Sequence, residues 1–458
     1  MLAVRDIWEG MGPELVACRA PAEATFQRAV IDSREAAPGD LFFALHGERH
    51  DGHEFVLDAL NCGAAGAVVE RPIDAPAQTS LFQVSDSLSA LQRLASYWLR
   101  RHDLPVVAVT GSVGKTTCKE LIAAVLGRDY RVLKSEANLN TEIGIPLTLL
   151  RLDPEHQRAV LEYAMYARGD IALLCRIAPP KIGVVTNVAP VHLERLGSLA
   201  AITAAKAELV EALPPDGLAV LNGDDPRVAA TASRTRARVL FYGQSQQCHV
   251  RGSDVVSRGL DGITFRLTYG EESAAVSCPL PGRHHLYPCL AAAAVALNDG
   301  MSLDEAAAAL AGARPALRLR VIAGPDSSTI IDDSYNASPP AMLAALDLLS
   351  EMPGRRIALL GEMRELGAAE EEGHRQVGER AASACDLLFV LGERAAPLAQ
   401  AARQHGLLDV RTPGSTEEAA EALRRELRSG DYLLVKASRA MALETVVDAL
   451  AEPGRVAT

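Results

Sequence analysis

The stretch that decides the fold is residues 105–126, which read PVVAVTGSVGKTTCKELIAAVL. A β-branched run at 106–109 leads into the loop 110–117, TGSVGKTT, and a helical pattern of apolar residues starts directly after it. Glycines in such a loop let backbone N–H groups converge on an anion, and the N-terminus of the following helix adds partial positive charge. The order of strand, glycine loop and helix therefore predicts a phosphate-binding loop of a nucleoside triphosphate enzyme.

Two side chains of this loop have predicted roles. Lys115 is expected to reach the β- and γ-phosphates, and Thr116 is expected to offer its hydroxyl to Mg²⁺. Val109 stands where the general P-loop pattern has a glycine five positions before Gly114. The alternative is a glycine turn with an incidental lysine, which the flanking strand and helix disfavour. We expect ATP to contact the residues of this loop, namely Gly111, Ser112, Val113, Gly114, Lys115, Thr116 and Thr117.

The bulk composition describes a long, acidic chain. Its 458 residues are too many for a single hydrophobic core, so several domains are expected. The net charge of −12, without a long basic cluster, argues against a nucleic-acid partner. The 8 cysteines are scattered, which argues against a zinc cage or a disulfide framework. Early charged residues and the lack of a long apolar run predict a cytoplasmic protein without a membrane partner, and we expect a monomer.

The rhythm of strand and helix patterns divides the chain into three expected domains of the α/β class. Residues 1–103 predict a small α/β module. Residues 104–313 begin with the phosphate loop and predict a parallel-sheet ATPase domain, with an antiparallel patch near 237–269 and two packed alanine-rich helices near 290–312. Residues 314–458 restart the α/β pattern and predict a Rossmann-like, doubly wound domain.

Lys206 lies on the apolar stripe of a predicted helix for which Ser198 is the expected N-cap. A lysine on such a stripe either extends its amine to the rim or is held in a protected site with a lowered pKa. A neutral amine can react with CO₂, and the resulting carbamate is an anionic oxygen ligand for Mg²⁺. The pattern alone leaves both interpretations open.

Further candidate residues follow predicted strands or interrupt them. His192 comes just after a strand, at the carboxyl end where α/β enzymes hold ligands, although a loop histidine is commonly only solvated. Glu162 lies inside an apolar strand and needs a partner, either a metal or an arginine. Asp332 and Asp333 also follow a strand; they either bind ribose hydroxyls or a metal-bound water, or form an ordinary turn with Asx hydrogen bonds.

Taken together, these motifs resemble those of the Mur ligase family, which forms amide bonds with ATP in peptidoglycan precursor synthesis. The phosphate loop is similar to the family's T-G-x-x-G-K-T-T, and residues 138–146 are similar to its N-x-N-x-E-I-G-x-P. Residues 186–194 and 206–208 are similar to its T-N…H-L-E and K-x-E. The most discriminating pieces, DDSYNAS at 332–338 and LGEMRELG at 360–367, resemble motifs of the member that adds D-alanyl-D-alanine.

The resemblance implies an ATP-dependent ligase that joins D-alanyl-D-alanine to a UDP-N-acetylmuramoyl tripeptide through an acyl phosphate. ADP and phosphate would be released. The first domain is implied to bind the UDP substrate, the second ATP and the third the amine substrate. The alternatives are a sister ligase that adds another amino acid or a polyglutamate tail, and a non-catalytic ATP-binding regulator on the same scaffold.

The resemblance also implies roles for individual residues. Lys206 would be a carbamylated lysine that binds a second Mg²⁺ with His192, while Thr116 and Glu162 would hold the first. The catalytic residues would be Lys115, His192 and Lys206. Beyond the phosphate loop, ATP would contact His285, Arg318, Asp333 and Asn336. The UDP substrate would contact Ser33, Arg34, Asn140, Thr141 and Asn187.

Three segments depart from the family pattern, and the smallest change is VKASR at 435–439, where Ala437 replaces the glycine of V-K-G-S-R. Where the family has L-E-M-G-M-N, this chain has LEYAMY at 161–166, so Glu162 is kept while its neighbours change. The family's G-R-H-N-x-x-N, which meets the adenine, is GRHHLYP at 282–288, where His285 and Pro288 replace both asparagines. A histidine can still hydrogen-bond or stack on a purine, but a proline side chain cannot hydrogen-bond.

Overall fold

The computed structural model describes residues 1–47, 49–191, 193–315 and 318–451. Its strands form sheets of five, nine and six strands and one two-stranded ribbon. The predicted α/β class is confirmed, and the three large sheets follow one another along the chain. The domain boundaries near 103 and 313 stay predictions. Within the described residues, we find no helix that combines the length and the apolar character needed to cross a bilayer.

The first sheet has the strand order β2-β7-β6-β5-β4, in which β2 is antiparallel to β7 and the other pairs are parallel. The inner strands β5 and β6 are buried along their whole length, as expected for a parallel sheet that is covered by helices. The ribbon pairs β1 with β3. The elements of this part are β1 (Leu2–Ala3), α1 (Val4–Met11), β2 (Leu15–Arg19), β3 (Thr25–Phe26), β4 (Ala29–Val30), β5 (Leu41–Phe43), α2 (Val56–Asn61), β6 (Gly66–Val69), β7 (Ser80–Val84) and α3 (Ser87–His102).

The central sheet has the order β16-β15-β14-β13-β12-β11-β8-β10-β9. Strands β8 to β13 run parallel to their neighbours, and β14 is parallel to β13. The pairs β14–β15 and β15–β16 are antiparallel. The predicted antiparallel patch is therefore present but lies one strand further along the chain than expected, because residues 238–243 form a parallel strand and residues 272–278 complete the patch. The first elements are β8 (Val106–Thr110), α4 (Lys115–Leu126), β9 (Val132–Lys134), α5 (Gly144–Leu149), β10 (Arg158–Glu162), α6 (Asp170–Ile177), β11 (Ile182–Val185), α7 (Leu193–Leu196) and α8 (Leu199–Glu211). The remaining elements are β12 (Leu218–Asn222), α9 (Pro226–Ala230), β13 (Arg238–Gly243), β14 (Val250–Ser257), β15 (Ile263–Tyr269), β16 (Glu272–Cys278), α10 (Leu286–Asn298) and α11 (Leu303–Gly312).

Helices α10 and α11 confirm the predicted helix pair. Four consecutive alanines of α10, residues 291–294, are buried, and the helix packs against α4, the helix that follows the phosphate loop. Small side chains all around a helix allow close packing against several neighbours, so α10 supports α4 from behind.

The third sheet has the order β17-β18-β22-β19-β20-β21, in which only the β17–β18 pair is antiparallel. The doubly wound pattern predicted for this part is therefore present, with one antiparallel edge strand. Its elements are β17 (Arg320–Ala323), β18 (Thr329–Asp332), α12 (Pro339–Ser350), β19 (Arg356–Gly361), α13 (Glu370–Ala384), β20 (Leu387–Leu391), α14 (Ala396–Gln404), β21 (Val410–Arg411), α15 (Thr416–Glu426), β22 (Tyr432–Lys436) and α16 (Glu444–Leu450).

Polar contacts join the central and C-terminal parts. Glu351, just after α12, accepts hydrogen bonds from the Arg283 guanidinium at 3.3 Å and from the Ser257 hydroxyl. Gly367 lies so close to Glu194 that a Cβ atom there would be 3.2 Å from the Glu194 backbone. The LGEMRELG segment therefore lies beside the chain that follows β11.

Candidate active site

The phosphate loop has the strand–loop–helix form that its sequence predicts. Gly111 has φ +151°, and a Cβ atom there would lie 1.8 Å from the Thr186 hydroxyl oxygen. This position therefore accepts only glycine. Gly114, with φ +80°, has open space where its Cβ would be, directly before the N-terminus of α4. The open space and the helix terminus together form an anion cradle.

The end of β11 forms the second wall of this loop. The Asn187 side chain accepts from the Val113 N–H at 2.9 Å and donates to the Val113 carbonyl at 2.9 Å. The Thr186 hydroxyl donates to the same carbonyl at 2.8 Å. Asn187, predicted to contact the UDP substrate, thus uses both ends of its amide to hold the loop; its substrate contact stays a prediction.

Lys115 opens α4 and folds back over the loop. Its ammonium group donates to the carbonyls of Gly111 at 3.0 Å and Ser112 at 3.3 Å. Burial lowers the pKa of Lys115, Glu162 opposes this change, and Arg318 adds to it. Lys115 therefore lies in the electrostatic field of both a predicted metal ligand and a predicted phosphate contact. Thr117 lies in the first turn of the same helix.

Glu162 ends β10 and is 2 % exposed. Its Oε2 atom accepts from the Thr116 hydroxyl at 2.8 Å, and its Oε1 atom accepts from the Asn140 amide at 2.9 Å. Neighbouring oxygens around an octahedral Mg²⁺ lie about 2.9 Å apart, given metal–oxygen distances of roughly 2.0–2.1 Å. The Thr116–Glu162 pair fits that spacing, so these two oxygens suit the first Mg²⁺. Asn140 orients the carboxylate, whereas its predicted contact with the UDP substrate stays a prediction.

Lys206 is 2 % exposed on α8. Burial lowers its pKa far below the ordinary value, and the nearby charge of Lys115 lowers it further. This direction favours the neutral amine, which is the form that reacts with CO₂. The Ser198 hydroxyl accepts from the Ala201 N–H at 3.2 Å, which confirms the predicted N-cap. His192, the predicted partner of Lys206 at a second Mg²⁺, lies outside the described residues.

Glu208, the acidic residue of the K-x-E segment, is used by the backbone. Its two carboxylate oxygens accept from the N–H groups of Gly169 at 2.8 Å and Ala172 at 3.0 Å, at the start of α6. A carboxylate at a helix N-terminus is favourable in its own right. The contact ties α8 to α6 two residues away from Lys206.

Asp333 follows β18 and pairs with a buried lysine of β22. The Lys436 ammonium lies 2.5 Å from Asp333 Oδ2 and donates to the Asn336 carbonyl at 2.9 Å. The Arg318 guanidinium carbon lies 3.7 Å from the centre of the Tyr335 ring. The segment 332–336 is thus held by cations on two sides, and the predicted ATP contacts Arg318, Asp333 and Asn336 lie together in the fold.

His285 lies at the N-terminal end of α10 and is buried. Its Nδ1 atom hydrogen-bonds the Pro281 carbonyl at 2.6 Å, so Nδ1 carries the proton and donates it. Burial, reinforced by the adjacent His284, lowers the pKa of His285 to about 3. The ring is therefore neutral at physiological pH, and its Nε2 atom is a hydrogen-bond acceptor. Asp333 acts on the same pKa, which places the two predicted ATP contacts in one electrostatic environment.

The predicted UDP-binding residues of the first sheet lie in a separate loop. Ser33 is buried, whereas the Arg34 side chain is exposed and forms an ion pair with Asp32 at 2.5 Å. The Thr141 hydroxyl accepts from the Ile143 N–H at 3.5 Å and the Gly144 N–H at 3.4 Å. Substrate contacts of these residues stay predictions.

Sequence reasoning missed two contributors to the site. Lys436 is a charged residue at the carboxyl end of an otherwise apolar strand, the same signal that identified Glu162. Tyr335 lies inside the DDSYNAS motif, but the contact of its ring with the Arg318 guanidinium depends on the tertiary fold and does not follow from the motif.

Three family descriptions match consecutive parts of this chain. The description "Mur ligase family, catalytic domain" matches residues 26–98, and "Mur ligase middle domain" matches residues 109–296. The description "Mur ligase, glutamate ligase domain" matches residues 317–439.

Curated relatives and solved structures extend this likeness over most of the chain. UDP-N-acetylmuramoyl-tripeptide–D-alanyl-D-alanine ligase of Synechocystis is 40% identical over 92% of this chain and 90% of its own. The proteins of the same name in Bacillus subtilis and Escherichia coli are each 36% identical over 94% of this chain and 95% of theirs. A crystal structure of MurF from Acinetobacter baumannii has a TM-score of 0.87 and 29% identity, with 98% of each chain covered. MurF of Thermotoga maritima in complex with ADP has a TM-score of 0.80 and 31% identity, over 92% of this chain and 96% of that one.

Proposed function

This chain belongs to the Mur ligase family, and we propose that it joins D-alanyl-D-alanine to UDP-N-acetylmuramoyl tripeptide, with ATP as the energy source. The family resemblance seen in the motifs is thereby confirmed, and so is its ATP-dependent, amide-forming chemistry. The substrates are those named for the relatives at 36–40% identity. The reaction belongs to peptidoglycan precursor synthesis. Because ATP and nucleotide-linked precursors are cytoplasmic molecules, we place it in the cytoplasm.

In the first step the terminal carboxylate of the tripeptide attacks the γ-phosphate of ATP, which gives an acyl phosphate and ADP. In the second step the amine of the dipeptide attacks the acyl carbon and phosphate leaves. The first step brings two anions together, so cations must lie between them. Lys115 and the amides of the phosphate loop supply part of that charge. Two Mg²⁺ ions, when bound, neutralise the charge that develops on the transferred phosphoryl group.

The observation that carries this proposal is the pairing of Thr116 with Glu162 beside the phosphate loop. An ordinary buried glutamate pairs with an arginine or lysine, whereas this carboxylate contacts a hydroxyl and an amide. Such a neutral hydrogen-bond environment leaves its negative charge available for a metal. Thr116 and Glu162 would hold the first ion, which would neutralise negative charge on the phosphates.

We assign Lys206 to a second metal site as a carbamate, together with His192. The support is the buried amine on α8, whose pKa is lowered by burial and by the nearby charge of Lys115. Carbamylation adds CO₂ to the amine nitrogen with loss of one proton, and it converts a neutral group into an anionic oxygen ligand. That charge would be balanced by the metal and by Lys115.

We assign the three predicted domains to the three substrates: UDP to residues 1–103, ATP to 104–313 and the amine to 314–458. Glu351 and Gly367 bring the last of these against the central sheet. A C-terminal part seated there would exclude water from the acyl phosphate, which otherwise hydrolyses.

The test is phosphate release from ATP with UDP-N-acetylmuramoyl tripeptide, in the presence and absence of D-alanyl-D-alanine. Tripeptides with lysine and with diaminopimelate at the third position are both supplied, and single amino acids replace the dipeptide in matched reactions. We expect sustained phosphate release and a new amide product only when the dipeptide, rather than a single amino acid, is the amine substrate. Turnover with a single amino acid or with glutamate instead would indicate a sister ligase. ATP binding without acceptor-dependent turnover would indicate a regulator.

A further inference from the structure

The hydrogen-bond ladder between β9 and β10 ends just before the predicted metal ligand. The last paired residues are Lys134 and Val160, and the next ladder bond runs from the Ser135 N–H to the Val160 carbonyl at 3.2 Å. The Glu162 N–H points to the same side, where β9 has already ended. It donates instead to the Ser135 hydroxyl at 3.0 Å. A side chain thus replaces the missing strand at the residue whose carboxylate faces Thr116.

Ser135 is in turn held by a buried cation. The Lys119 side chain is 1% exposed, and its ammonium group donates to the Ser135 carbonyl at 2.5 Å. Lys119 lies on α4, three residues after Thr116, so both side chains lie on one side of that helix. Helix α4 therefore supplies both the Thr116 hydroxyl, which contacts the Glu162 carboxylate, and the Lys119 ammonium, which holds Ser135.

We propose that Lys119 and Ser135 are positioning residues, which fix the Glu162 carboxylate against Thr116 so that the pair binds the metal–nucleotide complex. The proposal rests on the proposed function for the identity of the nucleotide and deepens that same site. Metal ligands need to be held within about 0.5 Å of their working positions, and loss of the groups that orient them costs about 10–100-fold in metal affinity. Neither residue touches ATP or the metal itself.

A purely structural role for Lys119 is a distinct alternative, because the residue also neutralises Glu120. The Lys119 ammonium lies 2.7 Å from Glu120, and Lys134 lies 2.5 Å from the other oxygen of the same carboxylate. The two lysines share this partner, but Lys119 is the one whose ammonium also binds Ser135. Lys134 therefore provides a matched control.

The experiment compares two double variants that each remove one positive and one negative charge. Lys119→Met/Glu120→Gln breaks the contact with Ser135, while Lys134→Met/Glu120→Gln leaves it in place. Ser135→Ala and Ser135→Thr form a second pair, because alanine removes the acceptor for the Glu162 N–H and threonine keeps it. The readout is the dissociation constant of Mn²⁺ in the complex with a non-hydrolysable ATP analogue, measured by electron paramagnetic resonance. Neither the UDP-linked tripeptide nor the dipeptide is present.

We expect Mn²⁺ affinity to fall about tenfold in Lys119→Met/Glu120→Gln and in Ser135→Ala. It should stay near wild type in Lys134→Met/Glu120→Gln and Ser135→Thr. In turnover, the Mg²⁺ concentration for half-maximal rate should rise by the same factor, while the KM for the UDP substrate stays constant. Equal losses in the two double variants, or unchanged affinity in Ser135→Ala, would overturn the proposal. If a double variant does not fold by circular dichroism, the Ser135 pair decides.

Failure of the proposed function would look different. The Mn²⁺ measurement needs neither the UDP-linked tripeptide nor the dipeptide. A protein with another substrate would therefore still show the difference in Mn²⁺ affinity between the variants. The positioning role is refuted by the metal-binding data alone, and the substrate assignment by the phosphate-release data alone.

Discussion

The Thr116 hydroxyl lies 2.8 Å from the Glu162 carboxylate, although 46 residues separate them in the chain. The contact exists because β10 pairs directly with β8, so the carboxyl end of β10 meets the phosphate loop that follows β8. Two oxygens whose spacing suits Mg²⁺ therefore lie beside the phosphate loop.

Replacing Lys115 with alanine should nearly abolish amide formation. The loop would keep its backbone amides but lose the cation that we expect to contact the β- and γ-phosphates, and such a contact is worth about 10²–10³-fold in kcat. Phosphate release and product formation with saturating substrates measure the effect. Lys181→Ala is the control, because Lys181 forms an ion pair with Asp216 at 2.6 Å outside this site. Near-normal turnover in Lys115→Ala would contradict the assigned role.

Replacing Lys206 with alanine should reduce turnover about 10²-fold or more, since the second metal would lose an anionic ligand. A small carboxylate such as acetate should restore part of the rate, because it can occupy the vacated space and supply the missing oxygens. Lys206→Met is the matched control, since its side chain fills that space and leaves no room for acetate. Full activity of Lys206→Ala without added carboxylate would end the carbamate assignment.

The same lysine should make stability depend on pH. Its pKa is far below the ordinary value of about 10.4 in the folded chain, so between these two values the unfolded chain holds a proton that the folded chain lacks. Wild-type stability should therefore rise with pH across this window. Lys206→Met lacks the buried amine and should be more stable than wild type at pH 7, because its unfolded chain has no such proton to lose on folding.

Urea unfolding of both proteins at pH 7 and pH 9.5, in CO₂-depleted buffer, measures this dependence. The difference in unfolding free energy between variant and wild type should shrink at the higher pH. A difference that is constant or grows with pH would show that Lys206 is charged in the folded chain.

His285 should contribute to ATP binding as a neutral acceptor. Because its pKa is lowered to about 3, its charge does not change between pH 6 and pH 8. The contribution of His285 to the KM for ATP, measured as the ratio between His285→Ala and wild type, should therefore be constant over this range. We expect that ratio to be about tenfold, the value of one hydrogen bond. His285→Asn should stay close to wild type, and an equal loss in both variants would argue for packing rather than hydrogen bonding.

Gly111→Ala should eliminate nucleotide binding without unfolding the chain. A Cβ atom at this position would lie 1.8 Å from the Thr186 hydroxyl oxygen, so the loop must shift. Titration with a fluorescent ATP analogue measures the loss, and circular dichroism monitors the fold. An alanine variant that binds the analogue normally would show that the loop adjusts freely.

The sequence predicted those parts of the site that depend on neighbouring residues. The phosphate loop follows from a strand pattern, a glycine-containing loop and a helix pattern that are consecutive in the sequence. The Ser198 cap follows from the preference of serine for the N-cap position of helices. Glu162 was identified because a charge inside a buried strand needs a partner. Alternating patterns predict β14 and β15 of the antiparallel patch, but not its third strand β16, and they wrongly include β13, which is parallel to its neighbours.

Other parts depend on strand order, which local patterns do not encode. Asn187 reaches Val113 because β11 lies next to β8, and Lys436 reaches Asp333 because β22 lies next to β18. These pairs are 74 and 103 residues apart, so no spacing rule connects them. Ser135 is hidden for the same reason, since its role appears only where the β9–β10 ladder ends.

The Glu351 carboxylate accepts hydrogen bonds from both the Arg283 guanidinium and the Ser257 hydroxyl, so one side chain of the C-terminal part is bonded to two residues of the central part. Arg283 sits in the same short segment as His285, at the start of the helix that backs the phosphate loop. Any movement of the C-terminal part away from the central sheet would break this contact, which lies two residues from His285, a predicted ATP contact. Half-exposed ion pairs weaken as ionic strength rises. A higher salt concentration should therefore weaken the ion pair between Arg283 and Glu351, which joins the C-terminal sheet to the central one.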